Sequence, residues 1–81
     1  PFNPSTTLRF SLPATGHAEL KIYDVQGRLV RTLVDAVRSA GQNEARWDGR
    51  DRHGRQVASG TYYARLMAAG QASVKTLVLV K

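Results

Sequence analysis

Apolar and polar side chains alternate with a period of two through most of this chain of 81 residues. The clearest run is Leu8, Phe10 and Leu12, which alternate with polar neighbours until Pro13 ends the pattern. Such alternation is typical of a strand with one buried face, and the 3.6-residue period of an amphipathic helix does not compete with it. The chain is therefore predicted to consist almost entirely of β-strands.

Further strands are predicted where the same alternation returns between turn residues. They cover residues 17–24, 28–34, 43–47, 61–67 and 72–80. Gly27 can take the left-handed backbone conformation of a short hairpin connection, so the first two of these strands are expected to pair. The apolar residues of 28–34 fall on both faces, which indicates a bulge. Residues 35–41 are expected to form a loop with weak helical character at 35–38, and residues 48–55 a turn-rich connector.

Trp47 is the largest candidate for the core. Tyr62 is expected to point inward with Ala64 and Leu66, after Gly60 opens their strand. Structural roles are predicted for Trp47, Asp48, Gly27, Gly60 and Tyr62. Six to seven short strands joined by turns predict an all-β fold, an Ig-like antiparallel β-sandwich that forms one domain over residues 1–81. Because the chain has no Cys, the similarity to antibody domains is one of architecture only.

The charge balance is strongly basic, with a net charge of +6 from 12 Lys and Arg against 6 Asp and Glu. This balance permits contact with anionic surfaces, but solvated and mutually spaced arginines are the favoured interpretation, and nucleic-acid binding is not predicted. No run of about 20 apolar residues is present, so membrane insertion is not predicted either.

Catalytic and metal sites find little support in the sequence. The two histidines, His17 and His53, fall in or beside turns and are expected to be solvated. Asp48 and Asp51, with Asp24, could offer oxygen ligands to calcium, but bracing of turns by Asp48 and Asp51 through backbone hydrogen bonds is the favoured alternative. The chain is predicted to be no enzyme and to bind no cofactor or metal.

The last predicted strand is apolar on both faces. Val74, Val78 and Val80 occupy one face, and Leu77 and Leu79 the other. One sheet partner cannot bury both faces. Three alternatives stay open for the spare face: a covering loop, an upstream domain of the parent protein, or recognition by another protein.

Five segments of the chain, in order, resemble the signatures of one family. They are 1–13 (PFNPSTTLRFSLP), 20–30 (LKIYDVQGRLV), 47–51 (WDGRD), 54–63 (GRQVASGTYY) and 75–81 (KTLVLVK). Together they resemble the Ig-like domain of the flagellar hook-capping protein FlgD and, more closely, the C-terminal sorting domains (type A) of type IX secretion cargo.

The resemblance implies a non-catalytic C-terminal sorting and anchoring module of a secreted or cell-surface bacterial protein. Docking is then expected through the terminal strand, at Lys75, Leu77, Leu79 and Lys81, together with the exposed parts of the two turns. The implied partners are the upstream domains of a larger exported protein and the secretion machinery, and the domain itself is expected to be a monomer. Two alternatives are a structural assembly domain of the hook-cap type and an accessory carbohydrate-binding sandwich of a secreted hydrolase, for which Tyr23 or Tyr63 would form a stacking platform.

Overall fold

A computed structural model describes residues 6–80 and contains six strands in two antiparallel sheets. The strands are β1 (Thr6–Leu12), β2 (Gly16–Tyr23), β3 (Leu29–Arg38), β4 (Gly41–Trp47), β5 (Gly60–Ala68) and β6 (Gln71–Leu79). One sheet has the order β1-β4 and the other the order β3-β2-β5-β6. The predicted all-β, Ig-like sandwich is confirmed. Within residues 6–80 there is no helix of the length and apolarity needed to cross a membrane.

The core lies between the two sheets and follows the predicted alternation. Its buried apolar residues are Leu8, Phe10, Leu12, Ala18, Leu20, Ile22, Val30, Val34, Trp47, Tyr62, Ala64 and Leu79. Trp47 is fully buried and packs edge-on against Tyr62, with ring centroids 5.2 Å apart. The Trp47 indole Nε1 donates to the Arg50 carbonyl (2.9 Å), and the Tyr62 hydroxyl donates to the Ala58 carbonyl (2.6 Å). Both aromatic residues therefore bury their rings with their polar atoms satisfied.

The third strand is longer than its sequence pattern predicts. Residues 35–38, expected to begin a loop with weak helical character, continue β3 and pair with the start of β2, where Gly16 lies opposite Arg38. The prediction of a loop there was wrong because the β2 backbone supplies a ladder that outweighs the small helical preference of four residues. The bulge predicted for this pair is confirmed by register shifts between Leu20 and Lys21 and between Ile22 and Tyr23.

The two sheets differ in width, and this difference leaves one side of the sandwich open. The β1-β4 sheet has two strands and faces a sheet of four. Within the described residues β4 contacts β3 of the other sheet. β1 is the edge strand on the opposite side, the side on which β6 lies. The part of β6 near Ser73 and Lys75 is consequently exposed, although these side chains share its inward face with Leu77 and Leu79.

Candidate docking surfaces

Two turns of the chain are built in the same way. Residues 24–28 and 51–55 both have the sequence Asp-x-x-Gly-Arg. In the first, Asp24 Oδ1 accepts the backbone N–H groups of Gln26 and Arg28, each at 2.9 Å. In the second, Asp51 Oδ1 accepts those of His53 (2.8 Å) and Arg55 (3.0 Å). The backbone hydrogen bonds that close the two turns also correspond. In each turn the Asp N–H donates to the Arg carbonyl, and the Gly N–H donates to the Asp carbonyl.

The two Asp-Gly-Arg turns, as we call residues 24–28 and 51–55, lie together at one end of the sandwich. The Arg52 backbone N–H donates to the Val30 carbonyl at 2.9 Å, which ties the second turn to the strand that follows the first. A cleft of about 590 Å³ lies between them and is lined by Asp24, Arg28, Leu29, Val30, Asp51, Arg52, His53, Val57 and Tyr62. The sequence contains this repeated motif, but only the fold shows that its two copies are neighbours.

The carboxylates of these turns serve the turns themselves. The backbone N–H of Arg28 lowers the pKa of Asp24 below its usual 3.8, and that of Arg55 does the same to the pKa of Asp51. Asp48, just before the second turn, accepts hydrogen bonds from the Arg31 guanidinium (2.8 Å) and the Arg50 backbone N–H (3.1 Å). The predicted bracing by Asp48 and Asp51 is therefore confirmed, and the calcium alternative is not supported.

One exposed group on the outer face of the four-stranded sheet combines potential metal ligands. His17, Glu19 and Asp35 bring one ligand atom each within 4.8 Å of one another. The His17 Nε2 lies 2.7 Å from Asp35 Oδ1, and Lys21 Nζ lies 3.7 Å from Glu19 Oε2. Each of these side chains already contacts another side chain of the same surface, which is the arrangement of a surface cluster of charged and polar groups.

The last strand exposes its valines and turns its leucines inward. Leu79 is buried and Leu77 half-buried, whereas Val74, Val78 and Val80 are 64%, 72% and 73% exposed. Of the residues predicted to dock, Lys75 is exposed and Lys81 lies outside the described residues. Docking through Lys75, Leu77 and Leu79 stays a prediction, and the more accessible apolar face of this strand is the valine face, which the sequence did not single out.

A second cleft, which we call the edge cleft, opens between β1 and β6. It has a volume of about 360 Å³ and is lined by Leu8, Arg9, Phe10, Ser11, Leu20, Ala64, Leu66, Ser73, Val74 and Lys75. Its floor is apolar, and its charged lining residues are Arg9 and Lys75. Arg9 donates to Glu44 on β4 at 3.0 Å, while Lys75 has no ion pair among residues 6–80.

Tyr23 and Tyr63 lie opposite each other on the outer face of the β2-β5 pair, and both are half-buried. The carbohydrate alternative needs an exposed, flat tyrosine platform. Partial burial of both rings gives this alternative no specific support.

The fold and these surfaces define a small Ig-like sandwich domain with rigid turns at one end and an open strand edge along one side. The FlgD Ig-like domain family matches residues 3–72, and the chain belongs to that family. Solved structures of FlgD are among those similar to it. FlgD from P. aeruginosa is 25% identical with a TM-score of 0.71, and the match covers 94% of this chain and 60% of that one.

FlgD from Xanthomonas campestris, described in connection with the hook capping essential for flagellar assembly, is 26% identical with a TM-score of 0.70. This match covers 93% of the present chain and 56% of that protein, so the chain spans less than two thirds of the length of either FlgD. The search of curated proteins gave no match.

These comparisons correct two expectations drawn from the resemblance. The main interpretation, a C-terminal sorting module of type IX secretion cargo, was wrong, because the family and both structural matches are those of FlgD. The expected location, secreted or at the cell surface, was wrong as well, since the matched proteins are FlgD and the one from X. campestris is described in connection with hook capping in flagellar assembly. The short motifs are compatible with both kinds of Ig-like domain, so they could not separate them.

Proposed function

We propose that this chain is a structural docking domain of a flagellar hook-capping type of protein, which contacts protein partners during assembly and catalyses no reaction. The observation that carries the proposal is the similarity to FlgD over more than nine tenths of the chain, at TM-scores of 0.71 and 0.70. The role of the FlgD protein from X. campestris in hook capping is what we extend to this chain.

The geometry of the domain supports a docking role. Side-chain and backbone hydrogen bonds fix both Asp-Gly-Arg turns, so a partner that binds this end would not have to order a flexible loop. The valine face of β6 offers exposed apolar side chains beside Arg65, which occupies the neighbouring position on β5. A rigid end and a mixed apolar and basic face are features of a protein contact surface.

The surroundings of the polar side chains support a role without chemistry. The described residues include no buried charged or polar residue. His17 is bonded to Asp35 at an exposed site, and His53 is an exposed member of a turn. Neither histidine has the enclosed surroundings that tune a general base.

A domain exchange tests the proposal. Residues 1–81 would replace the corresponding Ig-like segment of P. aeruginosa FlgD in a strain that lacks its own FlgD. We expect hooks by electron microscopy and swimming in soft agar. The control chimera carries Trp47→Ala, which removes the centre of the core and should abolish both. A chimera that is produced at the normal level, is folded by circular dichroism and still gives no hooks would contradict the proposal.

A further inference from the structure

The edge cleft lies beside β1, whose second edge has no partner among the strands of residues 6–80. Among the described strands β1 pairs only with β4, so its other edge presents backbone N–H and C=O groups without a strand partner. Neighbouring strands in a sheet lie about 4.8 Å apart, so a strand added at this edge would lie over the exposed inward face of β6. A third strand would thereby extend the narrower sheet over the wider one.

The lining of the edge cleft suits an extended chain with alternating side chains. Leu8, Phe10 and Leu66 supply apolar surface on the side of the core. Ser73 and Lys75, on the inward face of β6, stand at the open side and are exposed. Side chains on the inward face of an added strand would therefore meet both the apolar floor and the polar β6 residues, as in recognition by strand addition.

The charge of the cleft selects among possible strands. Its lining contains Arg9 and Lys75 and, among the described residues, no carboxylate. Glu44 already holds Arg9, which leaves Lys75 as the cation open to a new partner. All six Asp and Glu side chains, in contrast, have a contact within the protein, and the net charge is +6. An acidic segment is thus favoured over a second copy of this basic chain.

We propose that the free edge of β1 binds an extended acidic and apolar segment of a partner protein, which adds as a third strand to the β1-β4 sheet and pairs a carboxylate with Lys75. This inference rests on the docking role proposed above and names the chemistry of the partner. It assigns the main contact to the edge cleft and not to the valine face of β6.

The probe is an acetylated peptide long enough to span the seven residues of β1, with valine and glutamate in turn on its inward face and serine at every other position. With the full chain, we expect binding by calorimetry and new protection of β1 amides from hydrogen exchange. The same peptide with lysine in place of glutamate, and the acidic peptide with alternate amides N-methylated, should each bind at least about tenfold more weakly. Equal binding of the N-methylated peptide, protection on β6 alone, or no binding would overturn the proposal.

Matched variants locate the site. Ser73→Phe fills the edge cleft and should abolish binding, whereas Ala72→Phe places the same side chain on the other face of β6 and should change the affinity by less than about twofold. Lys75→Glu should weaken binding about tenfold or more, whereas Arg38→Glu, an equal change of net charge on β3, should have little effect. Circular dichroism checks that each variant is folded. Binding that survives Ser73→Phe would overturn the proposal.

The other occupant, a second copy, has its own signature. Sedimentation equilibrium of the chain alone tests for it. A dimer that the Ser73→Phe variant no longer forms would overturn the acidic-partner proposal in favour of self-association. The peptide measurements use the purified chain, and the domain exchange uses hook formation in cells. Failure of one therefore does not imply failure of the other.

Discussion

Gly27 has a backbone conformation that its neighbours in the sequence could not adopt without strain. Its φ is +82°, and a Cβ built on it would meet no atom within 4 Å. The cost of a larger residue there is therefore conformational and not steric. Gly16 offers the matched control, since a Cβ on it also meets nothing within 4 Å but its φ is outside the left-handed region.

Gly27→Val is expected to lower the free energy of unfolding by about 1 to 3 kcal/mol, because a β-branched residue is disfavoured at positive φ. Gly16→Val, at the start of β2, should stay within about 0.5 kcal/mol of the parent. Urea unfolding measures both. Equal losses in the two variants would show that the turn does not depend on the left-handed conformation.

The charge of Asp51 links the second Asp-Gly-Arg turn to pH. Its pKa is lowered in the folded state, chiefly by the Arg55 backbone N–H, so the ionised form stabilises the fold above the ordinary pKa of 3.8. That contribution is lost as the pH falls below about 4. Asp51→Asn keeps an acceptor oxygen but removes the charge, so it should be less stable than the parent at pH 7, with a difference that shrinks toward pH 2. Thermal unfolding across this range checks it, and a constant difference would contradict the linkage.

Strand β6 uses its two faces differently, and this difference can be measured. Leu79 is 4% exposed and Val78 is 72% exposed, although they are adjacent. Leu79→Ala is expected to cost about 2 to 4 kcal/mol through lost burial and a cavity, and Val78→Ala no more than about 0.5 kcal/mol. Comparable costs in urea unfolding would mean that the strand phase is wrong.

The alternation of side chains was enough to predict β1, β2, β4 and β5, because one buried face imposes a period of two. The apolar residues of β3 also indicated the bulge opposite β2, since no regular strand could bury Leu29 and Val30, or Leu33 and Val34, on one face. The alternation could not predict that residues 35–38 extend β3, because their conformation depends on a partner strand distant in sequence. The two Asp-Gly-Arg turns lie together, and the edge cleft forms, because of the order of strands in the sheets. No local sequence pattern encodes that order.

Over residues 6–80 the two sheets of the molecule share one core. Trp47 is the sole tryptophan and is fully buried at that core, so its fluorescence reports on packing between the sheets. Urea unfolding followed by Trp47 fluorescence and by far-ultraviolet circular dichroism should give coincident transitions, with an m-value of about 1 kcal/mol/M. Separate midpoints would mean that the two-stranded sheet detaches before the four-stranded sheet unfolds.

The separation of β1 and β6 into different sheets has a mechanical consequence. These strands carry the two ends of the described chain, and no backbone ladder joins them. A tensile load applied at the two ends would pass between the sheets through apolar side-chain contacts, which are non-directional and resist sliding weakly. The domain would then behave as a compliant link under tension, and a force-extension measurement would record a low rupture force for it.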